Sequence, residues 1–127
     1  MNKRIILTAA LFGALAVVLG AFGAHSLKTL ISSSSLEIWQ KGVEYQFYHV
    51  FALLYLSTFA RYKNKLIGFA FVFFTLGIVL FSGSLYILAL KDAYHLSVQF
   101  IGPITPLGGL CFILGWISLF LAALKDK

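Results

Sequence analysis

The stretch 5-IILTAALFGALAVVLGAFGA-24 is twenty residues long and contains no charged residue. A helix needs about 20 apolar residues to cross the roughly 30 Å hydrocarbon core of a bilayer, so this segment predicts a transmembrane helix. It is longer than the roughly 7 to 15 apolar residues of a signal-peptide core. We therefore expect it to be retained as the first helix of the protein.

Three further apolar segments follow, at about 43–60, 66–90 and 105–124. The chain of 127 residues is 61% hydrophobic and only 11% charged, against about 25% charged residues in a soluble domain. A membrane barrel would need many short alternating strands, which the sequence lacks. An open sheet cannot cross lipid, because the backbone polar groups at its edge would have no hydrogen-bond partner. The sequence therefore predicts one all-α membrane domain, residues 1–127, with four transmembrane helices.

The basic residues lie at the ends of the apolar segments and form no basic face, so we expect no nucleic-acid partner. Seven of the ten Lys and Arg residues fall on the side of the two termini and the middle loop: Lys3, Arg4, Arg61, Lys63, Lys65, Lys125 and Lys127. The positive-inside rule then predicts that both termini are cytoplasmic.

Polar residues mark the predicted starts of the second and fourth helices. Ser34 with Glu37 three residues later fits a capping box, which predicts a short amphipathic, interfacial extension beginning near residue 35. Trp39 would lie there at headgroup depth as an aromatic anchor. At the fourth helix, Pro106 suits the first turn, with Thr105 as its N-cap.

Small residues recur along the first and fourth helices at steps of three and four. They let membrane helices approach closely, and a repeat averaging about 3.5 residues favours left-handed packing. With short loops, the sequence predicts an antiparallel left-handed four-helix bundle. The stripes could also serve a homo-oligomer or a membrane-protein partner, besides the lipid bilayer. The glycines at packing positions are Gly13, Gly20, Gly23, Gly108 and Gly115.

Polar side chains inside spans are costly and usually functional, and here they concentrate toward the outer ends of the helices. Tyr45 and His49 share a helix face, and Gln46 lies on a flank with His49. Alternatively, Glu44 is solvated at the interface and His49 is a neutral histidine bonded to a neighbouring helix. The candidate ligand-binding residues of an outer polar pocket are His25, Glu44, Tyr45, Gln46, His49, Ser82, Ser84, Tyr86 and Thr105.

Several short motifs follow one another along the chain: 20-GAFGAH-25, Trp39, 45-YQFYH-49, Leu53 and Leu54, 82-SGSLYIL-88, 104-ITPLGG-109 and 115-GW-116. Together they resemble a family of small bacterial inner-membrane proteins classed as domain of unknown function 423, which has eukaryotic transmembrane-protein relatives. The resemblance implies a four-helix, multi-pass protein of the bacterial plasma membrane. It brings no substrate, cofactor or catalytic residue to this chain. The segment 91-KDAYHLSVQF-100 matches none of these motifs.

Three functions are consistent with this pattern. Our leading hypothesis is a non-enzymatic membrane protein whose outer polar pocket binds a small ligand, a lipid headgroup or a partner helix. An alternative is small-molecule or proton-coupled transport, by a monomer or an oligomer, with His49 and Glu44 titrating. A second alternative is a haem- or metal-binding redox subunit in which His25 faces His49 across adjacent helices.

No motif in the sequence points to catalysis. The single cysteine, Cys111, cannot form a CxxC pair, the histidines lack metal-ligand spacing, and 82-SGSLY-86 is not the GxSxG elbow. We therefore predict no catalytic residue, no metal site and no cofactor.

Overall fold

Helices are the only regular secondary structure among the residues that the structure describes, and residues 91–100 between the last two helices form turns and irregular backbone. The structure is a computed structural model that describes residues 2–59 and 64–126. In chain order the elements are α1 (Lys3–His25), a 3₁₀ turn (Leu27–Thr29), α2 (Ser33–Phe59), α3 (Lys65–Gly77), a π-helical turn (Ile78–Ser82), α4 (Gly83–Leu90) and α5 (Ile101–Lys125). The α3 helix, the π-helical turn and α4 are continuous, and we call them together the central rod. The predicted all-α fold class is confirmed.

Three segments are long and apolar enough to cross a membrane: Lys3–Thr29, the central rod and α5. The α2 helix has 27 residues but is the least apolar of the long helices, because polar and charged residues occur along it, among them Glu37, Lys41, Glu44, Gln46 and His49. The predicted end of the second helix, near Ala60, lies outside the described residues. So do Arg61, Lys63 and Lys127, which are three of the seven basic residues that predict the cytoplasmic side.

The α1 helix packs against α2 through its small residues. A Cβ atom on Gly13 would lie 3.4 Å from Val50, and one on Gly23 would lie 2.7 Å from the Trp39 ring. Residues later in α1 contact residues earlier in α2, so these two helices run in opposite directions. Because Gly23 has no side chain, the Trp39 indole can lie directly against the α1 backbone.

The α5 helix packs against the central rod through a second stripe of small residues. A Cβ atom on Gly115 would lie 2.6 Å from the Phe74 ring, and one on Gly108 would lie 2.7 Å from the backbone Cα of Phe81. A side chain at either position would therefore push the two helices apart. The buried members of this stripe are Gly108, Cys111, Gly115, Ser118 and Ala122.

The helices contact one another in series. The α2 helix packs against α1 and against the central rod, and α5 packs against the central rod. Within 2–59 and 64–126, α1 and α5 share at most a marginal contact, so they leave outer faces with exposed large apolar side chains such as Val18 and Phe120. The predicted left-handed bundle stays a prediction.

The predicted capping box at the start of α2 is wrong. The helix begins at Ser33, and the Ser32 hydroxyl caps it by accepting a hydrogen bond from the Ser35 N–H at 3.2 Å. The Ser34 hydroxyl instead lies 3.1 Å from that of Ser32. Any of four consecutive serines can cap a helix, so the local sequence could not choose among them.

The predicted start of the last helix is also wrong. The α5 helix begins at Ile101, four residues before Thr105, so Thr105 is not its N-cap and Pro106 lies inside the helix. Pro103 occupies the first turn, where the missing N–H of a proline is not needed. Pro106 lacks the N–H that would otherwise bond to the Gly102 carbonyl.

Trp39 is buried between helices, and its predicted position at headgroup depth stays a prediction. It is 4% exposed, and its Nε1–H donates to the Leu19 carbonyl at 2.9 Å. Its ring centroid lies 4.8 Å from that of Tyr86. The stripe of small residues on α1 leaves room for the indole, so Trp39 joins α1, α2 and α4.

We expect Gly108→Ala to destabilise the protein by about 1 to 3 kcal/mol, because the added methyl group would meet the backbone of the central rod. Gly109→Ala is the matched control, since its Cβ atom would make an ordinary contact at 3.8 Å with the Phe81 ring. Unfolding in detergent micelles, followed by loss of helical circular dichroism, measures both. Equal midpoints for the two variants would contradict the proposed close approach.

Candidate functional site: an aromatic cavity between α2 and α5

The nine residues predicted to form one outer pocket separate into three groups. His25 is exposed at the end of α1. Glu44 is exposed on α2 and forms an ion pair of 3.5 Å with Lys41. Five others form hydrogen bonds between helices, and Tyr45 and His49 line a cavity. The structure therefore does not bring the nine residues together.

Gln46 uses both ends of its amide to join three helices. Its Nε2 donates to the Phe12 carbonyl of α1 at 2.7 Å, and its Oε1 accepts from the Tyr86 hydroxyl of α4 at 2.6 Å. The side chain is only 2% exposed. Gln46 therefore holds helices together, and it is not among the residues that line the cavity described below.

The predicted serine and threonine residues also bond within the protein. The Ser82 hydroxyl, in the π-helical turn, donates to the Gly42 carbonyl of α2 at 2.7 Å. The Ser84 hydroxyl donates to the Phe81 carbonyl at 2.8 Å, so the Thr105 hydroxyl, 2.6 Å from it, must donate to Ser84. These bonds tie the central rod to α2 and α5.

His49 is fixed by hydrogen bonds at both ring nitrogens. The Trp116 Nε1–H of α5 donates to His49 Nε2 at 3.0 Å, so Nε2 must be an acceptor. The hydrogen then lies on Nδ1, which is 2.7 Å from the Tyr45 carbonyl. The ring also stacks on Phe112 with centroids 3.5 Å apart. His49 is thus the neutral Nδ1–H tautomer.

This arrangement argues against a haem or metal site made by His25 and His49. Val50, next to His49, lies opposite Gly13, which is about 18 Å along α1 from His25 at 1.5 Å per residue. The two histidines do not face each other, and the Nε2 lone pair of His49 is taken by Trp116. The described part of the chain also holds no group of three or more potential metal ligands.

A cavity of about 580 Å³ lies between α2, α5 and the π-helical turn. Leu110, Ile113 and Trp116 on its wall are each about half exposed, so the cavity opens to the outer surface of the helices. None of its lining side chains is charged. The lining residues are Tyr45, His49, Phe81, Pro106, Gly109, Leu110, Phe112, Ile113 and Trp116.

The sequence predicts two of these nine residues, Tyr45 and His49, as ligand-binding candidates. It does not predict the lining residues on α5, which we call the α5 wall. Pro106, Gly109 and Trp116 lie within the short motifs of the sequence, but the position of Pro106 in its motif predicts a capping residue. Phe81 and Phe112 are two of 13 phenylalanines, and nothing local distinguishes them from lipid-facing ones. A tryptophan in the middle of a span, with a histidine on another helix, was the available signal.

A set of long apolar helices held together by internal hydrogen bonds defines a helical membrane protein. A family model described as "Protein of unknown function (DUF423)" matches residues 19–109. The chain belongs to this family. No solved structure matches it.

Bacterial relatives match over nearly the whole chain. A UPF0382 membrane protein of Staphylococcus aureus (strain bovine RF122 / ET3-1) is 42% identical over 123 residues, with 97% of each chain covered. The UPF0382 membrane protein YwdK of Bacillus subtilis (strain 168) is 42% identical, covering 97% of this chain and 98% of its own. The UPF0382 inner membrane protein YgdD of Escherichia coli (strain K12) is 39% identical, covering 99% of this chain and 93% of its own.

We expect Tyr86→Phe to destabilise the protein by about 1 kcal/mol, because it leaves the buried Gln46 Oε1 without its donor. Tyr55→Phe is the matched control, since Tyr55 is 60% exposed, and it should change stability little. Unfolding midpoints in the same micelles measure both. A Tyr86→Phe protein as stable as Tyr55→Phe would show that the hydrogen bond does not hold the helices together.

Proposed function

We propose that this chain is a protein of the bacterial plasma membrane that crosses the bilayer four times, with both termini in the cytoplasm. The excess of Lys and Arg on the side of the termini supports this orientation, as does the printed name of the Escherichia coli relative, an inner membrane protein. The α2 helix can span although it is the least apolar, because Gln46 and His49 are hydrogen-bonded within the protein.

Reporter fusions test this topology. A green fluorescent protein joined to the C-terminus should fluoresce, and alkaline phosphatase inserted at His95, between the central rod and α5, should be active. If α2 did not cross, a protein with a cytoplasmic N-terminus would have three spans and an external C-terminus. An active C-terminal alkaline phosphatase fusion would therefore overturn the four-span proposal.

The function that the geometry supports best is the non-enzymatic binding of a small, membrane-soluble ligand in the cavity between α2 and α5. The observation that carries it is a space of about 580 Å³, within the roughly 300 to 1,000 Å³ typical of small-molecule sites, which opens where a lipid-dissolved molecule can enter. In the proposed orientation it extends from the outer part of the bilayer toward its middle, because Pro106 and Gly109 lie near the outer end of α5.

Among the ligands predicted from the sequence, a small molecule fits better than a charged lipid headgroup. No charged side chain lines the cavity, and a buried charge without a partner is costly. Proton-coupled transport through Glu44 and His49 is less well supported. Glu44 is exposed and paired with Lys41, whereas His49 is buried and bonded to α5, so no contact joins the two groups.

Photolabelling with a neutral, lipid-soluble aryl diazirine tests ligand entry. We expect cross-links to concentrate on cavity residues such as Phe81 and Ile113, and to be lost in Gly109→Leu, whose side chain would fill the space. Gly68→Leu is the matched control, because a Cβ atom there meets nothing within 4 Å. Labelling spread evenly over lipid-facing residues such as Phe120, and unchanged in Gly109→Leu, would overturn the proposal.

A further inference from the structure

The walls of the cavity point to the shape of its ligand, if the cavity is a binding site as proposed above. Five of its nine lining residues carry flat rings: Tyr45, His49, Phe81, Phe112 and Trp116. Aromatic faces and edges favour ring partners through offset stacking and edge-to-face contacts. A planar ring can make such contacts with several walls at once, whereas a flexible acyl chain cannot.

The polar groups of the cavity point to the ligand's chemistry. Both nitrogens of His49 and the indole N–H of Trp116 are already bonded to each other or to the backbone. Tyr45 is a half-buried wall residue, and its hydroxyl makes no hydrogen bond within residues 2–59 and 64–126. Among the described lining residues, the Tyr45 hydroxyl is therefore the one side-chain hydrogen-bond donor that is not already bonded. No lining residue is charged, so a charged ligand would find no opposite charge in the cavity.

We propose that the cavity binds an uncharged planar ring that carries a carbonyl oxygen at its edge, the chemistry of the quinone class. The ring lies among Phe81, Phe112 and Trp116, and its carbonyl accepts a hydrogen bond from the Tyr45 hydroxyl. This assignment names the ligand class of the proposed small-molecule site and adds no chemical reaction to it. In this proposal Tyr45 binds the ligand, whereas its neighbour Gln46 bonds to two other helices.

The protein's two tryptophans provide a direct readout. With 5-fluorotryptophan in both positions and the protein in lipid nanodiscs, ¹⁹F NMR follows Trp116 on the cavity wall and Trp39 in the α1–α2 contact. Titration with 2-methyl-1,4-naphthoquinone should shift the Trp116 resonance saturably and leave that of Trp39 unchanged. The matched probe 2-methylnaphthalene has the same rings without carbonyl oxygens and should bind more weakly.

Two pairs of variants separate the possible outcomes. Tyr45→Phe should weaken the naphthoquinone roughly three- to tenfold, the effect of one lost hydrogen bond, and leave 2-methylnaphthalene unchanged; Tyr55→Phe is the control. Equal binding of both probes, with no effect of Tyr45→Phe, would overturn the carbonyl assignment and leave the small-molecule site standing. The absence of a saturable Trp116 shift with either probe, together with equal photolabelling of Gly109→Leu and Gly68→Leu, would overturn both the carbonyl assignment and the small-molecule site.

Discussion

The pair of hydrogen bonds made by Gln46 is the interaction on which the rest of the structure depends. Inside lipid, a polar side chain must find its partners within the protein, and Gln46 finds them on α1 and α4. Successive helical residues are rotated by about 100°, so Tyr45 and His49 are turned from Gln46 by about 100° and 60° in the same direction, which is toward α5. One amide thus fixes the rotation of α2 and the position of the cavity's inner wall.

Close packing and open space have separate causes in this protein. The small residues of α1 face α2, and those of α5 face the central rod, so close approaches occur within these two pairs. No such stripe joins α2 to α5. The gap between them is spanned by aromatic side chains and by the bond from Trp116 to His49, and the remaining volume is the cavity. The stripes of small residues on α1 and α5, whose role is close packing, thereby determine where the candidate site lies.

The extent of the helices could be predicted because lipid requires long apolar segments, and the predictions at 5–24 and 66–90 differ from α1 and the central rod by at most two residues at either end. Helix starts were less predictable: several serines could cap α2, and two prolines could begin α5. For the site, Tyr45 and His49 were identifiable from their spacing. The α5 wall was not, since Phe112 has no local feature that sets it apart.

The sequence by itself determined the helical membrane class, the close-packing surfaces and the concentration of polar residues in one half of the protein, because each of these follows from composition and spacing along a single helix. Only the tertiary structure decided which polar residues bond to each other and which face a cavity. That decision depends on partners far apart in the chain: Gln46 bonds to Phe12, 34 residues away, and His49 to Trp116, 67 residues away. No local pattern can encode such a pairing, since it depends on how the helices are placed side by side.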